Sequence, residues 1–337
     1  MDTEVPLEVL KAFGLGPLEE VRRAGGTASP KWSVRTPQGR FMVRARPADF
    51  ADEASLKFDH AALRRLGEAG LPVPAPLAMP GGSTWILVGE RVYEVLSWVA
   101  ADSFDPADLG ARTNLGRFLA LFHRALSEDM PPGKQGRLRE DHPALLEPYL
   151  DGLRELAATS AQCRQLGRIG EQLDLVRTQL DAGLYASLPH CVVHGDLHPG
   201  NLRFRNSQVA GVYDFDYLNV QARARDLSDA LMFFASNRNL PLDPDDIRSL
   251  TQPFVPDRRL AGLLIGGYEE TTLLAGDEWS ALPLLMRSRW IQMRLRGSRK
   301  VHPEEKLPFV LDRFFEVTDW LEAQGSAWFE NLREDLS

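Results

Sequence analysis

Apolar positions in the first hundred residues recur at short, alternating intervals broken by turn signals. From residue 18 to 48, β-favouring residues flank Gly25-Gly26 and Pro37-Gln38-Gly39, the pattern of strands joined by tight turns. The period then changes. Across residues 50–69, Leu56, Asp59, Leu63 and Leu66 return at helical spacing, and Gly70, Pro72 and Pro74 close the segment. Residues 84–99, TWILVGERVYEVLSWV, alternate once more and turn at Gly89-Glu90. These segments predict a small sheet with one helix laid on it.

Helical periods dominate afterwards. Leu115, Phe118, Leu119 and Phe122 mark a helix over 107–127, and 144–183 is helical with breaks expected at Gly167 and Gly170. The stretch 190–217 differs: CVVH, NLRF and VAGVYDF are short β runs separated by turn chemistry. From about residue 224 the pattern is again helical, with loops near Pro241, Pro253 and Pro303. The expected class is α+β in two lobes. Residues 1–98 form a small antiparallel-sheet lobe with one main helix, residues 99–337 a larger, mainly helical lobe, and ligand sites favour the cleft between such lobes.

Composition narrows the function classes. The chain has 337 residues, 44% hydrophobic and 26% charged, with a formal net charge of −8. An acidic balance argues against a general nucleic-acid binder. The two cysteines, Cys163 and Cys191, have no metal-ligand spacing, so neither a disulfide framework nor a structural zinc site is expected. No apolar run approaches the roughly 20 residues of a membrane helix. The N-terminal MDTEVPLEVLKAFGLG lacks the basic, apolar and small-residue regions of a signal peptide. The expectation is a cytoplasmic protein with no membrane partner.

The chemistry concentrates in His194-Gly195-Asp196-Leu197-His198-Pro199-Gly200-Asn201. A strand, NLRF, follows, then a turn at Asn206-Ser207, then Asp214-Phe215-Asp216. Asp196, Asn201 and Asp214 thus sit at the ends of adjacent short strands. Phosphoryl transfer from ATP needs this set of groups. One carboxylate orients the acceptor hydroxyl and takes its proton, and hard oxygen ligands hold magnesium against the phosphates. Asp196 suits the first role, Asn201 and Asp214 the second. His194, Asp196 and His198 also invite a metal-hydrolase reading, but a further ligand at suitable spacing is missing.

HGDLHPGN followed by DFD resembles the catalytic and metal loops of the aminoglycoside phosphotransferase family, a branch of the protein-kinase-like fold. The family pattern is H-G-D-x-x-x-x-N, a hydrophobic strand, then D. Gly195 and Asp216 stand where protein kinases carry the arginine of H-R-D and the glycine of D-F-G. The resemblance implies that His194 braces the loop and that Asp226 fastens it by hydrogen bonds, with Asp216 in support. It also implies a glycine turn over the phosphates at Gly25-Gly26, and a strand cation, here Arg44 in place of the usual lysine. Arg46, on the same side of the strand, could share that role. An acid on the helix should hold the cation: Asp59 is expected to pair with Arg44, with Glu53 as the alternative. Main-chain groups near Ser97 and Val99, beside Trp98, would meet adenine.

Gly266-Gly267-Tyr268-Glu269-Glu270 and LPLLMRSRW are similar to the homoserine-kinase-like subgroup. Family acceptors include homoserine, choline and aminoglycosides, all bearing a hydroxyl. Glu269, Glu270, Asp277 and Glu278 could line a pocket for ammonium groups. The run Arg287, Arg289, Arg294, Arg296, Arg299 and Lys300 could instead meet an anionic acceptor or form a basic helix face, and Tyr268 and Trp290 could line the pocket or pack in the core. The resemblance therefore implies an ATP- and magnesium-dependent kinase of small-molecule hydroxyls. A serine/threonine protein kinase, or a non-catalytic nucleotide-binding module, stands as the alternative.

Overall fold

The computed structural model of the chain describes residues 5–24, 30–127, 130–134, 136–180, 182–243 and 245–337. Gly25 and Gly26 lie outside them. The N-terminal part begins with α1 (Leu7–Ala12) and a five-stranded antiparallel sheet. Its strands are β1 (Glu20–Arg23), β2 (Lys31–Thr36), β3 (Gly39–Ala45), β4 (Trp85–Val88) and β5 (Arg91–Ser97), in the order β1-β2-β3-β5-β4. The long helix α2 (Glu53–Glu68) is inserted between β3 and β4. Its start is fixed by Asp52, whose side chain accepts from the Ser55 N–H at 2.8 Å.

Strand alternation sorts this sheet into two faces. Trp32, Val43 and Val95 lie side by side across β2, β3 and β5 and pack with Val9, Leu10 and Phe13 of the N-terminal helical segment. The next row on the opposite face is Lys31, Arg44 and Glu94. A row of charges inside a sheet face is costly unless its members pair, and these three sit where α2 and the second lobe close over them. From α2, Phe58, Ala62, Leu63 and Leu66 join the core of the larger lobe.

That lobe contains α3 (Leu109–Ala125), α4 (Pro143–Glu155), α5 (Ser160–Gln179), α6 (Ala182–Ser187), α7 (Ala224–Phe234), α8 (Ile247–Leu250), α9 (Arg258–Glu269) and α10 (Gly276–Gly297), with further short helices to the C-terminus. The expected breaks at Gly167 and Gly170 are absent, since both lie inside α5. The break falls instead at 156–159, where Thr159 and Gln162 form a reciprocal capping box that starts α5. A Cβ at Gly170 would stand 2.9 Å from the Arg154 guanidinium of α4, a half-exposed side chain that can move aside.

Two small antiparallel pairs carry the loops of interest. β6 (His190–Val193) pairs with β9 (Asn219–Ala222), and β7 (Leu202–Arg205) pairs with β8 (Gln208–Val212). The β7–β8 turn uses Asn206 and Ser207, both with positive φ (49° and 63°), as a two-residue hairpin of this hand requires. Loop 194–201 therefore leaves β6 and enters β7, and loop 213–218 leaves β8 and enters β9. Among the described residues, no helix is long and apolar enough to cross a membrane.

Candidate active site

Loop 194–201 is held by buried carboxylates beneath it. Asp226, at the start of α7 and fully buried, accepts from the N–H groups of His194 (2.7 Å) and Gly195 (2.9 Å). His194 bridges the two loops: its Nε2 lies 2.8 Å from the Tyr213 carbonyl, and Nδ1 lies 3.3 Å from the Asp196 N–H. Donation from Nε2 and acceptance at Nδ1 satisfy both bonds in one neutral tautomer. Gly195 has φ +77°, and a Cβ on it would stand 2.6 Å from the Tyr217 carbonyl oxygen. This close approach is the physical reason for glycine in H-G-D.

Asp196, Asn201 and Asp214 line one cavity of about 1370 Å³ between the lobes. The Asn201 Nδ2 donates to the Asp196 carbonyl at 2.9 Å, and the Tyr213 N–H donates to the Asn201 carbonyl at 2.9 Å. Asp214 adopts a left-handed conformation (φ 63°, ψ 67°), uncommon outside glycine, which turns it out of the line of β8. Among the described residues, no group of three or more His, Cys, Asp or Glu side chains is arranged to hold a metal unaided. The oxygens present suit magnesium in its nucleotide-bound form, which takes one or two carboxylates and fills its remaining positions with phosphate and water.

The cations facing Asp214 are arranged differently from the sequence expectation. Arg44 does not pair with Asp59. Its Nε pairs with Glu94, Nη2 with Asp216, and Nη1 lies 3.4 Å from Asp214. The reason is register: Arg44 and Glu94 are direct cross-strand neighbours, whereas Asp59 projects from α2 toward the end of β3. Asp59 pairs there with Arg46 and, at 2.7 Å, with Lys134. Arg46 also lies 2.8 Å from Asp216. The alternative acid, Glu53, forms an exposed pair with Lys57 at 2.7 Å. Glu94 is completed by His60 Nε2 at 2.6 Å. Burial opposes the charge on Arg44, but Asp216, Glu94 and Asp214 outweigh it and hold the guanidinium above its ordinary value. Lys31 Nζ stands 2.7 Å from the other oxygen of Asp214. Burial likewise opposes ionisation of Asp214, yet Lys31 and Arg44 hold its carboxyl well below the usual carboxylate range.

A second cavity of about 130 Å³ adjoins the first, sharing Asp196, His198, Arg296, Arg299 and Lys300 with it. Its walls include Phe233, Leu250 and Met293, the cations Arg289, Arg296, Arg299 and Lys300, and two acids, Asp196 and Glu140. Arg289 Nη2 lies 2.6 Å from Asp196 Oδ1, and its Nε lies 3.2 Å from buried Asp229. Burial raises the Asp196 pKa, while His198 and Arg289 lower it; the net direction is down. Burial also pushes His198 itself down. Glu140 is taken by Arg296, whose guanidinium is pushed down to about 10 by burial and by neighbouring Arg299.

The remaining sequence candidates lie elsewhere. Glu278 is fully buried, pairs with Arg223 at 2.7 Å and caps α10 at the Ala275 N–H. Glu270 forms a surface pair with Arg117 at 2.7 Å. Glu269 accepts from the Leu274 N–H, and Asp277 is exposed near Ser187. None of these four acids lines either cavity. Tyr268 and Trp290 are fully buried in the core. At the inter-lobe segment, the Ser97 N–H donates to the Ala75 carbonyl and the Val99 carbonyl accepts from the Tyr213 hydroxyl at 2.5 Å. Val99 and Trp98 line the large cavity, with Arg40 over the Trp98 ring at 4.3 Å. Sequence reasoning misses Lys31, Glu94 and Lys134 altogether and leaves Arg289 undivided from the basic run around it. For Glu94 the available signal is a charged side chain between Val92 and Leu96 on one strand face, whereas Lys31, beside Ser33 and Arg35, and Lys134, in a loop, carry none.

Comparison with known proteins agrees with this geometry. A homoserine kinase from Beijerinckia indica is 27% identical over 272 residues, covering 81% of this chain and 77% of its own. An amicoumacin kinase solved in complex with AMP-PNP and Ca2+ superposes with a TM-score of 0.69 at 15% identity, covering 93% of this chain and 92% of its own. A choline kinase from Cryptosporidium parvum superposes with a TM-score of 0.67 at 12% identity, covering 97% and 100%. These two superpositions show the protein-kinase-like fold. The model described as "Phosphotransferase enzyme family" matches residues 20–261, spanning the sheet, both loops and Asp226, and the chain belongs to that family.

Proposed function

We propose that the protein transfers the γ-phosphoryl group of ATP to the hydroxyl of a small acceptor that carries a negatively charged group. The observation that carries this reading is the position of Asp196, which lines both the large cavity and the small one. A nucleotide in the first and an alcohol in the second would meet at its carboxylate. The large cavity has the volume and the inter-lobe position of a nucleotide site. Asn201 and Asp214 would hold magnesium there, and the metal, when bound, supplies charge neutralisation at the phosphates. Asp196, kept ionised, would orient the acceptor hydroxyl and take its proton as the new P–O bond forms and the bond to ADP breaks. Asp226 and His194 position that carboxylate through the loop backbone.

The acceptor class follows from charge. Four cations line the small cavity against two acids, Glu140 and Asp196, which are already paired with Arg296 and Arg289, so Arg299 and Lys300 leave its charge positive. A polycationic aminoglycoside would meet like charge there, which costs affinity. A small hydroxylated acid would meet complementary charge. Homoserine, the acceptor named for the Beijerinckia relative, combines a hydroxyl and a carboxylate on a small frame. The test is ADP release with magnesium and ATP against a panel of L-homoserine, related hydroxy acids, choline and an aminoglycoside. Turnover with a hydroxy acid, abolished in Asp196→Asn, is the expected result. Turnover confined to choline or the aminoglycoside would refute the acceptor assignment, and no ATP consumption with any acceptor would refute the kinase reading.

A further inference from the structure

We infer that Lys31, rather than Arg44, is the side chain that meets the nucleotide phosphates, and that it does so by exchanging Asp214 for them when the metal arrives. This inference rests on the nucleotide reading above. It starts from what Arg44 is already doing. All three guanidinium nitrogens of Arg44 face carboxylates: Glu94, Asp216 and Asp214. Its side chain is 4% exposed. To reach a phosphate it would have to leave buried Glu94 and Asp216 to share Arg46, which already pairs with Asp59, and weakening a buried ion-pair set in this way is unfavourable. Arg44 is a strut between the sheet and loop 213–218.

Lys31 is placed differently. It is the first residue of β2 and the cross-strand neighbour of Arg44, so its side chain emerges on the same face, toward the large cavity. Among the described residues its ammonium makes an ion pair with one carboxylate, Asp214 Oδ2 at 2.7 Å, and its side chain retains 12% exposure. Asp214 is also the carboxylate suited to hold magnesium. A divalent cation on Asp214 would repel an ammonium at that distance and take over the oxygen it uses. Lysine, a compact charge on a flexible four-carbon stem, can move away with little reorganisation, whereas the forked and triply held arginine cannot. The phosphates that accompany the metal offer the displaced ammonium new oxygens within the same cavity. Lys31 therefore occupies Asp214 before binding and completes the phosphate site after it.

The exchange predicts opposite shifts in two affinities. In Lys31→Met, Mn2+ used alone as a paramagnetic probe should bind more tightly, because its competitor for Asp214 is gone. Affinity for Mg-ATP, measured by calorimetry, should fall by about 10- to 100-fold, the range for one charged hydrogen bond. Affinity for adenosine, which has no phosphate, should be unchanged. Lys31→Arg, which keeps the charge, should recover part of the ATP affinity. Lys31→Gln serves as a second neutral variant, with melting curves confirming that each protein is folded. Unchanged ATP affinity in both neutral variants overturns the inference, as does parallel loss of adenosine binding, which would mark a structural residue. Weakened Mn2+ binding also overturns it. Wild-type protein that binds neither ATP nor adenosine would overturn the nucleotide reading itself, an outcome distinct from a folded Lys31→Met that still binds ATP normally.

Discussion

Arg289→Met should separate the stability of the buried charge network from the chemistry at Asp196, because Arg289 joins the two. Its Nη2 lies 2.6 Å from Asp196, whose side chain keeps 24% exposure, and its Nε lies 3.2 Å from fully buried Asp229. Solvent screens the partly exposed Asp196 pair, so most of the stability at stake lies with Asp229. Without Arg289, Asp229 retains Arg225, which also faces Asp141 at 3.7 Å. Removing one partner of a buried ion pair typically costs about 3–5 kcal/mol, and that is the expected loss at neutral pH. The sign with pH follows from protonation. Burial already raises the Asp229 pKa against the pull of Arg225 and Arg289, and removing Arg289 raises it further. A group with a raised folded-state pKa contributes stability at low pH that is lost as pH rises. The deficit of the variant should therefore shrink on acidification and grow toward neutrality. Asp196, whose pKa is lowered in the wild type, should have it raised, so the acid limb of kcat/KM should move to higher pH. Urea unfolding over a pH series gives the first quantity and the pH–rate profile the second. A variant within about 1 kcal/mol of wild type at neutral pH, with an unmoved acid limb, would refute the reasoning.

Gly195→Ala combines positive φ with an approach of 2.6 Å to the Tyr217 carbonyl. It should destabilise by about 1–3 kcal/mol and depress kcat more than nucleotide affinity, measurable by melting curves and steady-state kinetics. Asp226→Ala would leave two buried N–H groups, of His194 and Gly195, without their acceptor; a loss of about 2–5 kcal/mol is expected by denaturant titration. Asp214→Ala should remove the magnesium dependence of ATP binding while leaving adenosine binding intact, as read by calorimetry. Gly116→Ala should prevent α3 and α9 from approaching, since a Cβ there would overlap the Leu264 carbonyl. Reduced yield of folded protein by circular dichroism would show it.

The strand-rich lobe, the helix at 53–68 and the order of the two loops were legible because each has its own local signature: period two, period 3.6, and turn residues between short β runs. That Asp196, Asn201 and Asp214 would come together was legible for the same reason, since they share one contiguous stretch, and all three line the large cavity. The ion-pair partners were not, because pairing is a property of register and tertiary approach. Asp59 sits on an apolar helix face and does need a cation, but nothing in its spacing distinguishes Arg44 from Arg46, two residues apart on one side of the strand. Lys134, its other partner, arrives from a loop 75 positions further along the chain. The basic run after residue 286 was ambiguous for a related reason. A helix apolar on one side would have put its arginines in solvent, but α10 is buried on most sides. Its arginines accordingly divide by what each turn meets. Arg289 meets Asp196, while Arg294 meets the carbonyls of Thr251 and Asp312.

The departure from lysine at Arg44 then has a consistent physical account. Four cations, Lys31, Arg44, Arg46 and Lys134, face four carboxylates, Asp59, Glu94, Asp214 and Asp216, at the junction of the sheet, α2 and loop 213–218. The formal charges cancel, which is what allows so many ions to be buried together. A nucleotide adds several negative charges and its magnesium returns only two, so binding needs a cation that can leave the balanced set. Arginine's fork suits the fixed positions, where one group must bridge two or three carboxylates at once. A lysine with one carboxylate partner suits the movable position. In this arrangement the fork at Arg44 fixes the Glu94–Asp216 framework and leaves the mobile charge to Lys31, one strand away.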